Sequence, residues 1–291
     1  MDILEQPNFN KLYNPPQSSH KGQNGRLLVI GGSKLFHASI FFSADVASKI
    51  VDLVHFSSPA NENNDLVRQK IKSGFWNGIV IDWSDIESYI AEDDCILIGP
   101  GMPRKAGKKL GDIDTSEVTD HLLKTYPNKR WVVDGGALQE VNPKLLNGNM
   151  IITPHHKEWE ILIRKENRDR TNDKEDLLFY SKSHGNLTIL LKGQVDIVCQ
   201  GDEIIQVKGG NAGMTKGGTG DVLAGLVAAL FCKNNAWLAA TTASFVNKKA
   251  GDRLYQTVGP NFNASELIEA VPKTIPSVNS PAYSHNHKNS V

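Results

Sequence analysis

Residues 209–226, GGNAGMTKGGTGDVLAGL, carry a glycine-rich loop straight into an apolar, alanine-rich helix beginning around Asp221. Glycines at 217, 218 and 220 let backbone N–H groups approach a ligand closely, and a helix start adds about half a positive charge. The turn is therefore suited to an anion, most naturally a phosphate. Gly218, Thr219 and Gly220 would cradle it. A carboxylate at Asp221 beside such an anion would repel it, unless its task is to accept a proton from an attacking hydroxyl. The plainer reading makes Asp221 an acidic residue capping the helix; the density of glycine around it favours the first.

Other glycine-loop chemistries fail on spacing. There is no G-x-x-x-x-G-K-[ST], and the glycine cluster lies late in the chain rather than after a first strand, so neither a P-loop nor the dinucleotide fingerprint is present. No H-E-x-x-H and no cysteine cluster suggests a zinc site.

Upstream, short aliphatic runs recur at 27–30, 53–56, 78–81, 95–98, 131–133, 149–152 and 188–191, alternating with segments of helical spacing such as 38–50, 117–126 and 221–232. Near-continuous apolar strands alternating with helices indicate a mostly parallel sheet covered on both faces, an α/β fold in three layers (α/β/α sandwich). Residues 194–199 and 203–207, joined through Gln200-Gly201-Asp202, read as a hairpin at an edge of that sheet. From Gly218 onward the chain reads as mainly helical. Four strands end in glycine or polar turns, Gly31-Gly32-Ser33, Gly99-Pro100-Gly101, Asp134-Gly135-Gly136 and Thr153-Pro154-His155. Open α/β sheets bind ligands at the carboxyl ends of their strands, so these turns predict one continuous crevice.

The 291 residues carry 32 Lys plus Arg against 32 Asp plus Glu, a formal charge of zero. Such a balance argues against nucleic acid and anionic lipid, whose binding needs net or clustered positive charge. With 40% hydrophobic and 22% charged residues, the composition is that of a folded soluble domain. Cys95, Cys199 and Cys232 are isolated in apolar stretches and read as buried thiols of a reducing compartment, so a cytoplasmic location is expected. No apolar run is long enough to span a membrane, the first twenty residues do not read as a secretory signal, and the N-x-S/T matches at Asn186 and Asn263 read as chance. The charged run 164–176 reads as a solvated loop leading into a helix. We expect an N-terminal arm over 1–19, one domain over 20–272, and a polar tail over 273–291 that is disordered and whose two histidines are incidental.

A Gly-x-Gly-Asp at a late helix start resembles the ribokinase-like superfamily. Within it the sequence resembles the NAD(P)H-hydrate dehydratases over roughly residues 20 to 272. The carriers are His20-Lys21-Gly22, Gly25 to Ser33, Gly99-Pro100-Gly101-Met102-Pro103, Val133 to Leu138, Thr153-Pro154-His155 with Glu158, Leu191-Lys192-Gly193, and the 211–225 loop. The resemblance implies that a nucleotide phosphorylates the hydroxyl of a hydrated nicotinamide ring and that loss of phosphate restores the double bond. ADP is favoured over ATP as donor, with Mg²⁺ as cofactor. It implies Asp221 as the base, Ala38, Gly101, His155 and Asp221 in contact with the hydrated cofactor, and Lys192, Gly193, Gln194, Val195, Asp196 and Gly220 around the nucleotide. Glu158, three residues after His155, falls where related kinases organise Mg²⁺ through water. It also implies a homo-oligomer, tetrameric in bacterial relatives, and a separate epimerase as functional partner, since the chain leaves no room for a fused one.

Some readings stay open. Asp134 is either a second carboxylate of the magnesium region or the cap of its own turn. Lys192 anchors a phosphate or merely begins a turn, with its neighbouring glycine favouring the former. Adjacent His155 and His156 invite a zinc reading that lacks a second ligand pair. His37 stands where glycine is usual before the alanine, and either narrows the substrate pocket or reshapes its loop; Ser48 to Asp52, His156-Lys157 and Lys216 also depart from the family pattern. Lys216 either neutralises nucleotide phosphate or faces solvent. The alternatives to a dehydratase are a hydroxymethylpyrimidine or hydroxyethylthiazole kinase, which would release a stable phosphorylated product, and a nucleotide-binding regulator without turnover, against which Asp221 and Lys192-Gly193 argue.

Overall fold

The aliphatic runs become strands of a single ten-stranded sheet, and the computed structural model describes residues 1–70, 77–107, 111–167 and 171–276. In chain order the elements are β1 (Asp2–Ile3), β2 (Arg26–Ile30), α1 (His37–Ser48), β3 (Leu53–Ser57), α2 (Asn61–Lys70), β4 (Ile79–Val80), α3 (Ile86–Glu92) and β5 (Cys95–Ile98). Then follow α4 (Thr115–Thr125), β6 (Arg130–Val133), α5 (Gly135–Glu140), β7 (Met150–Ile152), α6 (His156–Lys165) and α7 (Asp173–Ser183). The last are β8 (Thr188–Leu191), β9 (Asp196–Gln200), β10 (Glu203–Val207), α8 (Thr219–Phe231), α9 (Ala236–Val258) and α10 (Ala264–Ala270). The expected tail lies mostly outside the described residues, as do its two histidines.

Across the sheet the order is β1-β10-β9-β8-β7-β6-β5-β2-β3-β4. Every pair from β4 to β8 is parallel, and β9 is antiparallel to both β8 and β10. The chain builds outward from β2 through β3 and β4, then returns to the other side of β2 with β5 and builds the opposite way. The β2/β5 boundary is therefore the switch point at which such sheets open a ligand crevice. Gly201, at φ +59°, makes the turn that pairs Gln200 with Glu203 in the β9–β10 hairpin. The hairpin stands at its end of the sheet with β1 added outside it, Asp2 opposite Ile205.

Alternation along each strand feeds two cores. Leu27 and Val29 pack with Leu97, Val132 and Ile151 against the face covered by α1, α8 and α9, whereas Leu28 and Ile30 pack with Ile96, Trp131 and Trp159 on the opposite face. The central strands are buried on both sides, which is why they read as unbroken aliphatic runs. The three-layer α/β/α expectation is met. Cys95, Cys199 and Cys232 are free and buried, and no helix among the described residues is long and apolar enough to cross a membrane. The charged run resolves into the end of α6 and the start of α7, where the Asn172 side chain accepts from the Glu175 N–H; residues 168–170 lie outside the described set.

Candidate active site

The strand-end turns meet edge to edge. The Gly32 N–H donates to Pro100 O (2.7 Å), Gly136 N–H to Gly99 O (3.1 Å), and Lys192 N–H to Pro154 O (2.8 Å). Above them lies the start of α8. Its N-cap is Gly218 at φ +95°, where a Cβ would lie 2.6 Å from the Phe42 ring and 2.9 Å from the Ala264 side chain. Only glycine fits there. Thr219 Oγ1 donates to Met214 O (2.7 Å) and Lys216 O (2.9 Å), tying the glycine loop to the helix it precedes. The N–H groups of that first turn have no intrahelical acceptor and face an anion by default. A Cβ on Gly220 would meet only the Lys192 ammonium, at 4.0 Å. Gly218 thus shapes the turn, while Gly220 keeps space open in front of a cation.

Lys192 Nζ lies 2.7 Å from Asp134 Oδ1, which also accepts from Thr153 Oγ1 at 2.7 Å. Burial works against the Lys192 charge, but Asp134, Glu158 and Asp221 outweigh it and hold its pKa above the ordinary lysine value. Asp134 makes no capping hydrogen bond with its side chain, so of its two readings the cap is excluded.

Asp221 sits in the first turn of α8, and its pKa is pushed up to about 7. Burial is the largest cause, the negative Asp134 and Glu158 add to it, and Lys192 and a hydrogen bond from Ser39 oppose it. The backbone here is fixed by α1. Ser43 Oγ donates to Asp221 O at 2.8 Å, and one turn on, a Cβ at Gly225 would collide with the Ser43 backbone. Gly225 against Ser43 and Asp221 against Ser39 are the same helix contact repeated at intervals of four residues.

Of the residues expected at the hydrated cofactor, Ala38 and Gly101 lie beside Ser39, which hydrogen-bonds Asp221, and His155 pairs with Lys192 in an isolated parallel bridge. Gly101, at φ +69°, lies against the Phe36 carbonyl, and its Cβ would come within 3.0 Å of the Ser39 Cβ. Ala38 is exposed in the first turn of α1, next to His37, the residue that opens the helix. His155 caps α6. Its Nδ1 accepts from the Glu158 N–H (3.1 Å) while Glu158 Oε2 accepts from the His155 N–H (2.9 Å). Glu158 Oε1 accepts from Gln139 Nε2 at 3.0 Å. The carboxylate expected to organise magnesium is therefore 3% exposed and already accepts hydrogen bonds at both oxygens. Among the described residues no group of three or more His, Cys, Asp or Glu is placed to hold a metal.

Lys192, Gly193, Gln194, Asp196, Thr219 and Gly220 line a cleft of about 640 Å³, together with Gly209 to Ala212, Asn247 and Lys248. Val195 and Gly218, also expected at the nucleotide, are not on its wall. Asp196 points its carboxylate inward, accepting from Gly193 N–H (2.9 Å) and Ser244 Oγ (2.7 Å) and pairing with Lys248 (3.2 Å), so it shapes the turn that the ligand would touch. Lys248 Nζ also donates to Gly193 O and Gln194 O. One turn further along α9, Asp252 accepts from Gly210 N–H (3.2 Å) and Asn211 Nδ2 (3.1 Å). Ser244, Lys248 and Asp252 form a polar row at four-residue spacing that fastens both loops of the cleft. The sequence reading missed it, although a Lys and an Asp in register on a small-residue face were the available sign. Lys216 faces away, donating to Pro260 O with its ammonium over the Phe262 ring at 5.4 Å.

A family model described as NAD(P)H-hydrate dehydratase matches residues 27–273. The chain is 32% identical over 266 residues to the bifunctional NAD(P)H-hydrate repair enzyme Nnr of Methanocaldococcus jannaschii, covering 89% of this chain and 49% of that protein. It is 31% identical over 270 residues to the ADP-dependent (S)-NAD(P)H-hydrate dehydratase of Nitrosopumilus maritimus, covering 87% and 89% respectively. It spans about half the length of the first three archaeal repair enzymes it matches. Its fold is shared with the ADP/ATP-dependent NAD(P)H-hydrate dehydratase of Bacillus subtilis co-crystallised with ATP/Mg²⁺, at TM-score 0.71 and 20% identity over 91% of this chain and 94% of that one. A sequence match running from β2 to the end of α10, together with this fold, makes the chain a member of the NAD(P)H-hydrate dehydratase family.

Proposed function

We propose that the protein dehydrates the hydrated nicotinamide of NADHX or NADPHX at the expense of a nucleotide phosphoanhydride, ADP being the preferred donor. The observation that carries this is Asp221, a carboxylate with a pKa near 7 in the first turn of α8, between a phosphate-sized turn and the Ala38–Gly101 side of the crevice. A base with that pKa is partly ionised at neutral pH and still basic enough to take a proton.

In this reading Asp221 removes the proton of the C6 hydroxyl as its oxygen attacks the terminal phosphorus of the nucleotide. The Gly218–Gly220 N–H groups and Lys192 receive the charge on the transferring phosphoryl. The C6–O bond then breaks, phosphate leaves, a C5 proton is lost, and the C5=C6 bond re-forms; the nucleotide departs one phosphate shorter. His155 and Gly101 hold the nicotinamide end. Three acids with one lysine and no all-protein cage suit a Mg²⁺ that arrives on the nucleotide phosphates and keeps its waters. Bound there, it would neutralise phosphate charge, with Glu158 nearest in kind to an outer-sphere partner.

We further take 20–272 as the catalytic domain, acting in a reducing cytoplasm as a homo-oligomer, with an epimerase supplying the reactive hydrate epimer. The test is recovery of dihydronicotinamide absorbance from hydrated NADH with Mg²⁺ and either ADP or ATP. Recovery with ADP supports the reading. No recovery with either nucleotide, alongside accumulation of a phosphorylated vitamin precursor, would make the protein a small-molecule kinase instead.

A further inference from the structure

Beside the nicotinamide end of the crevice lies a second hollow of about 320 Å³, walled by Leu35, Phe36, Pro103, Arg104 and Ala106. It continues directly from the site, since Phe36 packs on Gly101 (3.2 Å from the Cβ that glycine lacks) and Pro103 follows Gly101 by two residues. Leu35 and Phe36 are 59% and 50% exposed, side by side. Their loop is nevertheless held in place: the Phe36 N–H donates to Ser33 Oγ (3.0 Å), and Asn63 Nδ2 donates to Ser33 O (3.2 Å). A pinned loop presenting an open aromatic face next to two cations, Lys34 and Arg104, which outnumber the one acid on the same wall, Asp112, is suited to a flat heteroaromatic ring with an attached phosphate.

We propose that this hollow binds the adenosine half of the dinucleotide substrate, Phe36 stacking on the adenine and Arg104 with Lys34 meeting the pyrophosphate. The inference rests on the function proposed above, which puts the hydrated ring at Ala38, Gly101 and Asp221. The 640 Å³ cleft lies over the β8–β9 part of the sheet and the hollow over the β2–β5 switch point, with β6 and β7 between them. The phosphoryl donor and the dinucleotide therefore reach Asp221 from different sides, an arrangement that leaves room for the attacking and leaving oxygens to stand in line across the phosphorus. The hollow is also within the size range of small-molecule sites.

Truncating the substrate separates this role from a structural one. Steady-state kinetics are measured with hydrated NADH and with hydrated reduced nicotinamide mononucleotide, which lacks the adenosine half, for the wild type, Phe36→Ala, Leu35→Ala and Arg104→Gln. Expected are a KM for the dinucleotide raised roughly tenfold by Phe36→Ala, a smaller rise in the other two variants, restoration by Phe36→Trp, and no change in KM for the mononucleotide. An equal rise for both substrates, or none for either, overturns the assignment while leaving the proposed function standing. A wild type that turns over neither hydrate removes both.

Discussion

The ammonium of Lys192 stands 2.7 Å from Asp134 and 4.0 Å from the point where a side chain on Gly220 would begin. One cation thus serves three acids and the mouth of a helix. Replacing it by methionine leaves Asp134, Glu158 and Asp221 without a counter-charge and should drive the pKa of Asp221 further up. We expect Lys192→Met to lose at least about tenfold in kcat at pH 7 and to move the acid limb of the pH–rate profile to higher pH. Lys192→Arg should keep part of both. A profile that stays in place in the methionine variant would separate Lys192 from the base.

For Asp221 itself, turnover should rise with pH through about 7 as the carboxylate ionises. Asp221→Asn should keep nucleotide affinity and lose turnover by about a hundredfold or more. Stability should move the other way. The folded pKa lies above the ordinary value of 3.8, so between roughly pH 4 and 7 the folded state binds more protons than the unfolded one, and stability falls as pH rises through that window. Asparagine carries no such penalty. The variant should be more stable than wild type at pH 8, by on the order of 2 kcal/mol after allowing for partial exposure, with the difference shrinking towards pH 5. Thermal melts across that range read it directly.

Gly218 and Gly220 differ by two positions and should fail differently. Gly218→Ala places a Cβ at φ +95° and 2.6 Å from the Phe42 ring, so it should lower stability by about 2 kcal/mol or more. In Gly220→Ala the Cβ meets nothing nearer than the Lys192 ammonium at 4.0 Å. The melt should be unchanged and the KM for nucleotide should rise about tenfold or more, because the methyl fills space meant for phosphate. Equal melts for the two variants would contradict this division.

Asp252 holds the Gly209–Asn211 loop from α9 without lining the cleft. Asp252→Ala should loosen that loop and raise the KM for nucleotide several-fold, leaving the KM for the hydrate unchanged. Lys248→Met strands the buried Asp196 carboxylate and should cost about 3 kcal/mol or more in stability. Chemical denaturation checks the second effect, and substrate titrations check the first.

The glycine loop, Asp221, the strand-end turns and the alternation of aliphatic strands with helices were legible because each is a local pattern. Glycine density marks a turn, and apolar runs mark strands buried on both faces. Val195 and Asp196 were read as nucleotide residues from their position in a motif. In space Val195 is off the cleft wall, while Asp196 is on it with its carboxylate turned towards Ser244 and Lys248 by the two-residue alternation that begins at β9.

The sequence by itself determined the layered fold, the anion-binding turn and the identity of its carboxylate. Each depends on residues adjacent in the chain and on intrinsic backbone preferences. Only the tertiary structure decided what surrounds that carboxylate. Asp134 and Lys192 follow the ends of β6 and β8, Glu158 comes from the first turn of α6, and Ser39 comes from α1. Their charges act on Asp221 through space, so its pKa near 7 is a property of four distant segments brought together around a buried group. No stretch of the chain encodes it.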